Sequence, residues 1–142
     1  MNIYFACSIT GGRDFERIYL DLTLALLASG HTIPTAHLAE SNVMAVESEI
    51  NPCEVYDRDV AWIRGCDMLI AEVSVPSHGV GYEIGFALDE GKPVLCLYQE
   101  GRKVSKMITG NPHSNLKIRS YRSVEDAIFL AHEFLRDKTR CE

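Results

Sequence analysis

The stretch Met68-Leu69-Ile70-Ala71-Glu72-Val73, followed by Ser74-Val75-Pro76-Ser77-His78-Gly79 and a segment running from Val80 to Glu90, decides the fold. The first six residues are nearly all apolar, the pattern of a strand buried on both faces. The next six are turn formers. Residues 80–90 then return to a helical period, and Gly91-Lys92-Pro93 ends it. Val94-Leu95-Cys96-Leu97-Tyr98 is a second buried strand, so the segment reads as strand, crossover helix, strand.

The same alternation extends outward in both directions. Upstream, residues 2–7 are an apolar run rich in β-formers, broken by Ser8-Ile9-Thr10-Gly11-Gly12. Phe15, Ile18, Tyr19, Leu22, Leu26 and Leu27 recur at helical spacing over residues 13–29, with Gly30 as the stop. Residues 31–36 read as another strand and 53–64 as a helix through Val55, Val60, Trp62 and Ile63. Residues 38–52 are polar and irregular, the pattern of a loop with one helical turn. Downstream, a short helix near 103–109, a strand near 116–120 and a helix over 123–137 complete the set.

Alternation of this kind implies a parallel sheet with helices on its faces. The expectation is one α/β domain over residues 1–142: a flavodoxin-like (Rossmann-like) three-layer sandwich around a five-stranded parallel sheet in the order 2-1-3-4-5. Ligands bind such sheets outside the carboxyl ends of the strands, where the chain reverses direction. That rule selects residues 8–12 and 74–82 before any chemistry is considered.

The 142 residues are 46% hydrophobic and 24% charged, which suits one domain whose core needs no disulfide or metal. A net charge of −6 argues against a nucleic-acid polymer or an anionic membrane surface as partner, but leaves room for a small anion held by local donors. Cys7, Cys53, Cys66, Cys96 and Cys141 form no Cys-x-x-Cys pair and no zinc-like Cys/His spacing. Cys7 and Cys96 read as small buried hydrophobes, and reduced thiols fit a cytoplasmic setting. Met1-Asn2-Ile3-Tyr4-Phe5 carries no basic leader and is expected to be a strand rather than a signal peptide. No run of about eighteen apolar residues occurs, so no membrane span is expected.

Both selected loops are rich in Gly and Ser: Ser8, Gly11 and Gly12 in the first, Ser74, Ser77, Gly79 and Gly81 in the second. Glycines let backbone N–H groups approach an anion, and a helix N-terminus favours negative charge. Either loop alone reads first as a turn; two facing one crevice point to a bound phosphate. Glu83 lies about one turn into the helix after the third predicted strand and faces the same crevice. Gly79, Gly81 and Gly85 surround it, although glycine weakens a helix, which suggests that something must approach closely. A carboxylate beside a sugar can act as the nucleophile of a retaining glycosyl transfer. Asp59, in Tyr56-Asp57-Arg58-Asp59-Val60-Ala61-Trp62, reads either as a second catalytic carboxylate or as part of a solvated helix face. Tyr4 is either a core residue or a phenol at the pocket floor, and His37 and His78 divide in the same way between structure and ligand contact.

These residues together resemble a known family. Tyr4 to Arg13, Asp59 to Trp62, and Ala71 to Gly85 with its block Pro76-Ser77-His78-Gly79-Val80-Gly81-Tyr82-Glu83, are similar to the 2'-deoxynucleoside 5'-monophosphate N-hydrolases of the Rcl type, within the nucleoside 2-deoxyribosyltransferase superfamily. The resemblance implies hydrolysis of a nucleoside 5'-monophosphate to free base and (2-deoxy)ribose 5-phosphate, with no cofactor or metal. It implies Glu83 as nucleophile, Asp59 as the acid that protonates the leaving base and later activates water, and Tyr4 as a positioning phenol. It further implies that Ser8, Ser77 and the backbone of the first loop (Ile9, Thr10, Gly11) bind the phosphate, with Gly79 and the nearby Arg13. His37 would lie near the base, and Ser105 would reach the phosphate of a partner subunit in a homodimer. Two departures stand out: Thr10 where the animal enzymes carry an arginine, and Cys7 in place of a glycine. Losing a guanidinium removes a charge-assisted phosphate contact. Base exchange, as in the deoxyribosyltransferases, and nucleotide sensing without turnover are the alternatives.

Overall fold

The computed structural model describes residues 1–9, 14–39, 42, 44, 45 and 48–139. Its sheet has four strands, β1 (Ile3–Ala6), β2 (Met68–Glu72), β3 (Val94–Gln99) and β4 (Leu116–Tyr121), all parallel and in that order. Ile3 lies beside Met68, Leu69 beside Val94, and Val94 beside Leu116. Among the described residues the helices that surround them are α1 (Glu16–Ala28), α2 (Pro52–Gly65), α3 (His78–Asp89), the single turn α4 (Lys106–Thr109) and α5 (Val124–Thr139). The α/β, Rossmann-like class and the parallel sheet match the expectation from sequence.

The expected fifth strand does not form. Of residues 31–36 only Thr32 pairs with the sheet, through an isolated parallel bridge to Asn2. The segment lies where the order 2-1-3-4-5 put it, since Ile3 N–H donates to the Thr32 carbonyl at 2.8 Å and Thr32 N–H to the Met1 carbonyl at 2.9 Å. Pairing then stops for a local reason. Pro34 has no N–H to offer. The next acceptor for β1 is a side chain, Thr35 Oγ1, which takes the Phe5 N–H at 3.0 Å. The backbone thus leaves the edge and turns into a 3-10 helix, Ala36–Ala39.

Successive residues of a strand face opposite sides, and β1 divides accordingly. Ile3 and Phe5 join Tyr19, Leu22 and Leu26 of α1 and Ala127, Ala131 and Phe134 of α5 on one face. Tyr4 and Ala6 join Ile63 of α2 and Val80, Ile84 and Ala87 of α3 on the other. Cys7 and Cys96 are buried, as their apolar settings predicted. Tight turns separate the elements. Gly30 (φ 83°) ends α1 and Gly91 (φ 73°) ends α3, both in the left-handed region that only glycine enters freely. Asn51 caps α2 by accepting from Cys53 N–H at 2.9 Å, with Pro52 in the first turn where its missing N–H costs nothing.

A buried polar knot braces the strand ends beneath the second loop. Glu72, fully buried at the end of β2, accepts from the Ser74 hydroxyl, from the Ser74 N–H at 3.3 Å and from the Tyr121 hydroxyl at 2.9 Å. Ser74 Oγ in turn accepts from the Gln99 N–H at 2.7 Å. Burial pushes the Glu72 carboxyl upward, and these donors oppose the shift. The ends of β2, β3 and β4 are thereby tied together where the loop carrying Ser77 departs.

Candidate active site

Tyr4 is fully buried in the middle of β1, on the face covered by α2 and α3. Its hydroxyl donates to Glu83 Oε1 at 2.6 Å. A residue of the first strand and one from the second turn of α3, 79 positions apart in sequence, therefore meet at one point. Burial, reinforced by Glu83, holds the Tyr4 phenol well above its usual range, so it stays protonated and acts as a donor. Glu83 is pushed up to about 7, chiefly because burial penalises its charge. The Tyr4 hydrogen bond lowers it, Asp59 raises it and Arg58 lowers it.

Asp59 reaches the same place from α2. Asp57 is exposed and points away, whereas Asp59 is partly buried. Asp59 and Val55 are four residues apart on the face turned toward α3, so Asp59 lies on the cavity side of the helix. Arg58 Nε donates to Asp59 Oδ1 at 2.9 Å.

Two cavities meet at this pair of carboxylates. One, about 330 Å³, lies between the end of β1 and the start of α3 and is lined by Cys7, Ile9, Leu38, Ser77, His78 and Gly79 besides Asp59 and Glu83. The other, about 440 Å³, runs outward between α2 and α3 past Val55, Tyr56 and Tyr82. Val55, Gly79, Asp59 and Glu83 border both. Ser77 caps α3, its Oγ accepting from Val80 N–H at 3.3 Å, so the helix N-terminus opens on the smaller cavity.

The other predicted residues are distributed unevenly. Ile9 lines the smaller cavity, and Ser8 beside it is buried with a hydroxyl that has no hydrogen-bond partner among the described residues. Thr10, Gly11 and Arg13 lie outside the described residues. The His37 ring packs edge-on against Trp62 at 5.9 Å, and its neighbour Leu38 lines the cavity instead. Ser105 caps the exposed turn α4 and borders a separate groove of about 490 Å³, which it shares with Ser77 and His78. The crowding that the glycines of α3 suggested is not internal. A Cβ at Gly81 or Gly85 would meet nothing within 4 Å, and at Gly79 only Ser77 Oγ at 3.9 Å. Tyr56, Tyr82 and Leu38 were not singled out from sequence; the first two appear only once α2 and α3 are laid side by side, with hydroxyls 3.1 Å apart.

The family model for nucleoside 2-deoxyribosyltransferase matches residues 3–127. The chain belongs to this family. Among relatives, a 5-hydroxymethyl-dUMP N-hydrolase of Tetraodon nigroviridis is 41% identical, over 78% of this chain and 80% of the relative. A Methanosarcina mazei protein provisionally named 2'-deoxynucleoside 5'-phosphate N-hydrolase 1 is 38% identical, over 95% of this chain and 84% of its own. In fold, this nucleoside 2-deoxyribosyltransferase family member is similar to a CMP N-glycosidase from Clostridium botulinum, with a TM-score of 0.72, 23% identity and coverage of 93% and 98%.

Proposed function

We propose that this protein is an enzyme that hydrolyses the N-glycosidic bond of (2'-deoxy)nucleoside 5'-monophosphates, giving free base and (2-deoxy)ribose 5-phosphate. The observation that carries the reading is the Tyr4–Glu83–Asp59 cluster, held in a crevice whose rim is the capped N-terminus of α3. The relatives named for hydrolysis of nucleoside monophosphates, at 38–41% identity over most of the chain, support the substrate class.

In the proposed reaction a Glu83 carboxylate oxygen forms a bond to the anomeric carbon as the bond to the base nitrogen breaks. Asp59 supplies the proton that the leaving base takes up. In the second half Asp59 accepts a proton from water as the water oxygen attacks the same carbon, and the ester to Glu83 breaks. The Tyr4 hydroxyl, held protonated, keeps Glu83 in one orientation throughout. Ser77, Gly79 and the α3 N-terminus suit the 5'-phosphate, together with Ser8, whose buried hydroxyl has no hydrogen-bond partner among the described residues. Ile9, Thr10, Gly11 and Arg13 belong to the same proposed cradle, and His37 to the surroundings of the base. Residues 1–142 act as one domain on this reading, in a cytoplasmic setting.

Ser105 fits a role across a homodimer, because within one chain it borders the outer groove rather than the Glu83 cavities. Mixing a Ser105→Ala chain with a Glu83→Ala chain should then restore part of the activity that each lacks alone. Mixed dimers no more active than either parent would remove Ser105 from the site.

A panel of ribo and deoxy 5'-monophosphates beside their nucleosides, with and without an acceptor base, tests the whole proposal. Free base from monophosphates without acceptor is the expected result. Product only with acceptor and unphosphorylated nucleoside would make the protein a transferase. Ser77→Ala should raise KM for a monophosphate by roughly tenfold or more, the scale of one hydrogen bond to a charged group, and change KM for the matching nucleoside little. Equal losses for both would withdraw Ser77 from the phosphate.

A further inference from the structure

Arg58 and Asp59 are neighbours in sequence on α2, and neighbouring residues of a helix do not face one another. Their side chains nevertheless meet, Arg58 Nε donating to Asp59 Oδ1 at 2.9 Å. The contact needs the arginine to fold across the helix surface, and a shelf for that fold is present. The Arg58 guanidinium lies over the Trp62 ring, 4.8 Å from its centre, one turn further along α2. Trp62 is in turn backed by the His37 ring, edge-on at 5.9 Å, from the 3-10 turn that follows the edge segment. Two elements thus cooperate to aim one cation at the carboxylate pair.

We propose that Arg58 is a positioning residue of this active site, laid on the Trp62 shelf so that it orients Asp59 while its charge favours the ionised form of Glu83. The inference rests on the reading of Glu83 as nucleophile and Asp59 as its acid–base partner. Two carboxylates bordering one cavity oppose each other's ionisation, and an adjacent guanidinium relieves that opposition. Among the described residues the titratable and charged groups facing Glu83 are Tyr4 of β1, Cys7 just past β1, Asp59 and Arg58 of α2, and His78 at the start of α3. Of these, Arg58 acts on Glu83 in the direction of ionisation through its charge, and Tyr4 does so through its hydrogen bond. Trp62 acts only through Arg58: its ring holds the guanidinium but carries no charge of its own.

The test is the pH profile of kcat/KM for base release from a 5'-monophosphate, measured on the full chain. Because the nucleophile reacts as the anion, removing the cation should move the acid limb to higher pH. Arg58→Gln should shift it by about one pH unit, the low end for an opposite charge nearby, since about a fifth of the Arg58 side chain is exposed (22%). Arg58→Lys keeps the charge and should bring the limb most of the way back. Trp62→Leu should shift the limb in the same direction by less, and should add nothing in the Arg58→Gln background. A limb that stays in place in an active, folded Arg58→Gln enzyme overturns the inference alone. So does a Trp62→Leu shift that persists without the arginine. A wild-type chain that releases no base from any monophosphate overturns the functional reading, and this inference with it.

Discussion

Glu83→Gln is expected to reduce base release by roughly 10⁴-fold or more, the scale on which removing a covalent nucleophile acts, while the protein keeps its fold. The amide preserves the volume of the side chain and can still accept from the Tyr4 hydroxyl, which lies 2.6 Å from Oε1. Only the charge and the nucleophilicity disappear. Circular dichroism and thermal unfolding check the fold, and a discontinuous assay for free base checks activity. A folded variant with near-normal turnover would remove Glu83 from the reaction.

The same substitution carries a second signature. Glu83 is pushed up to about 7 by burial, so in the folded state it binds a proton that the unfolded chain releases at ordinary carboxyl pH. A group with a raised carboxyl pKa makes folding less favourable as pH climbs from the unfolded value through the folded one, and the full cost stands above about pH 7. Glu83→Gln should therefore raise Tm clearly at pH 8 and little at pH 5. Wild-type kcat/KM should fall on the acid side of about pH 7, where the nucleophile becomes protonated. With Glu83 in the proposed role, stability and activity are expected to oppose each other at this residue, as they do where a charged group is buried for reaction rather than for folding.

Asp59→Asn should cost roughly 10²–10⁴-fold in turnover, the range for loss of a general acid, and the loss should depend on the leaving base. A base that leaves readily without a proton would lose least and a poor leaving group most. The amide stays within reach of Arg58, which approaches Asp59 at 2.9 Å, but its nitrogen cannot accept that hydrogen bond and it has no proton to give at useful pH. Comparing several monophosphates by kcat checks the trend. A uniform loss across bases would point to a packing role for Asp59 in place of proton transfer.

Much of this molecule was readable from residue order. The run Met68–Glu72 is an interior strand because an apolar segment without alternation must be covered on both faces. The helix that follows it and the stops at Gly30 and Gly91 rest on local chemistry that neighbours cannot easily override. The rule that ligands sit at the carboxyl ends of parallel strands selected the end of the sheet where Ser77, Asp59 and Glu83 border one cavity. Residues 31–36 failed as a strand because pairing depends on more than β-forming residues. Pro34 removes a donor, and the Thr35 hydroxyl takes over the acceptor role that a carbonyl would have filled.

The sequence by itself determined the class of fold, the end of the sheet to examine for a site and the candidate residues Tyr4, Asp59, Ser77 and Glu83, since periodicity, turn chemistry and motif are local properties. Only the tertiary structure decided that Tyr4 is a donor to Glu83, that Asp59 rather than Asp57 faces it, and that Arg58 rests on Trp62 against Asp59. It also moved His37 onto Trp62 and put Leu38 at the cavity wall. The physical reason is the same in each case. These contacts depend on the relative rotation and spacing of elements far apart in the chain, which are set by packing both sides of the sheet at once and are not written in any one segment.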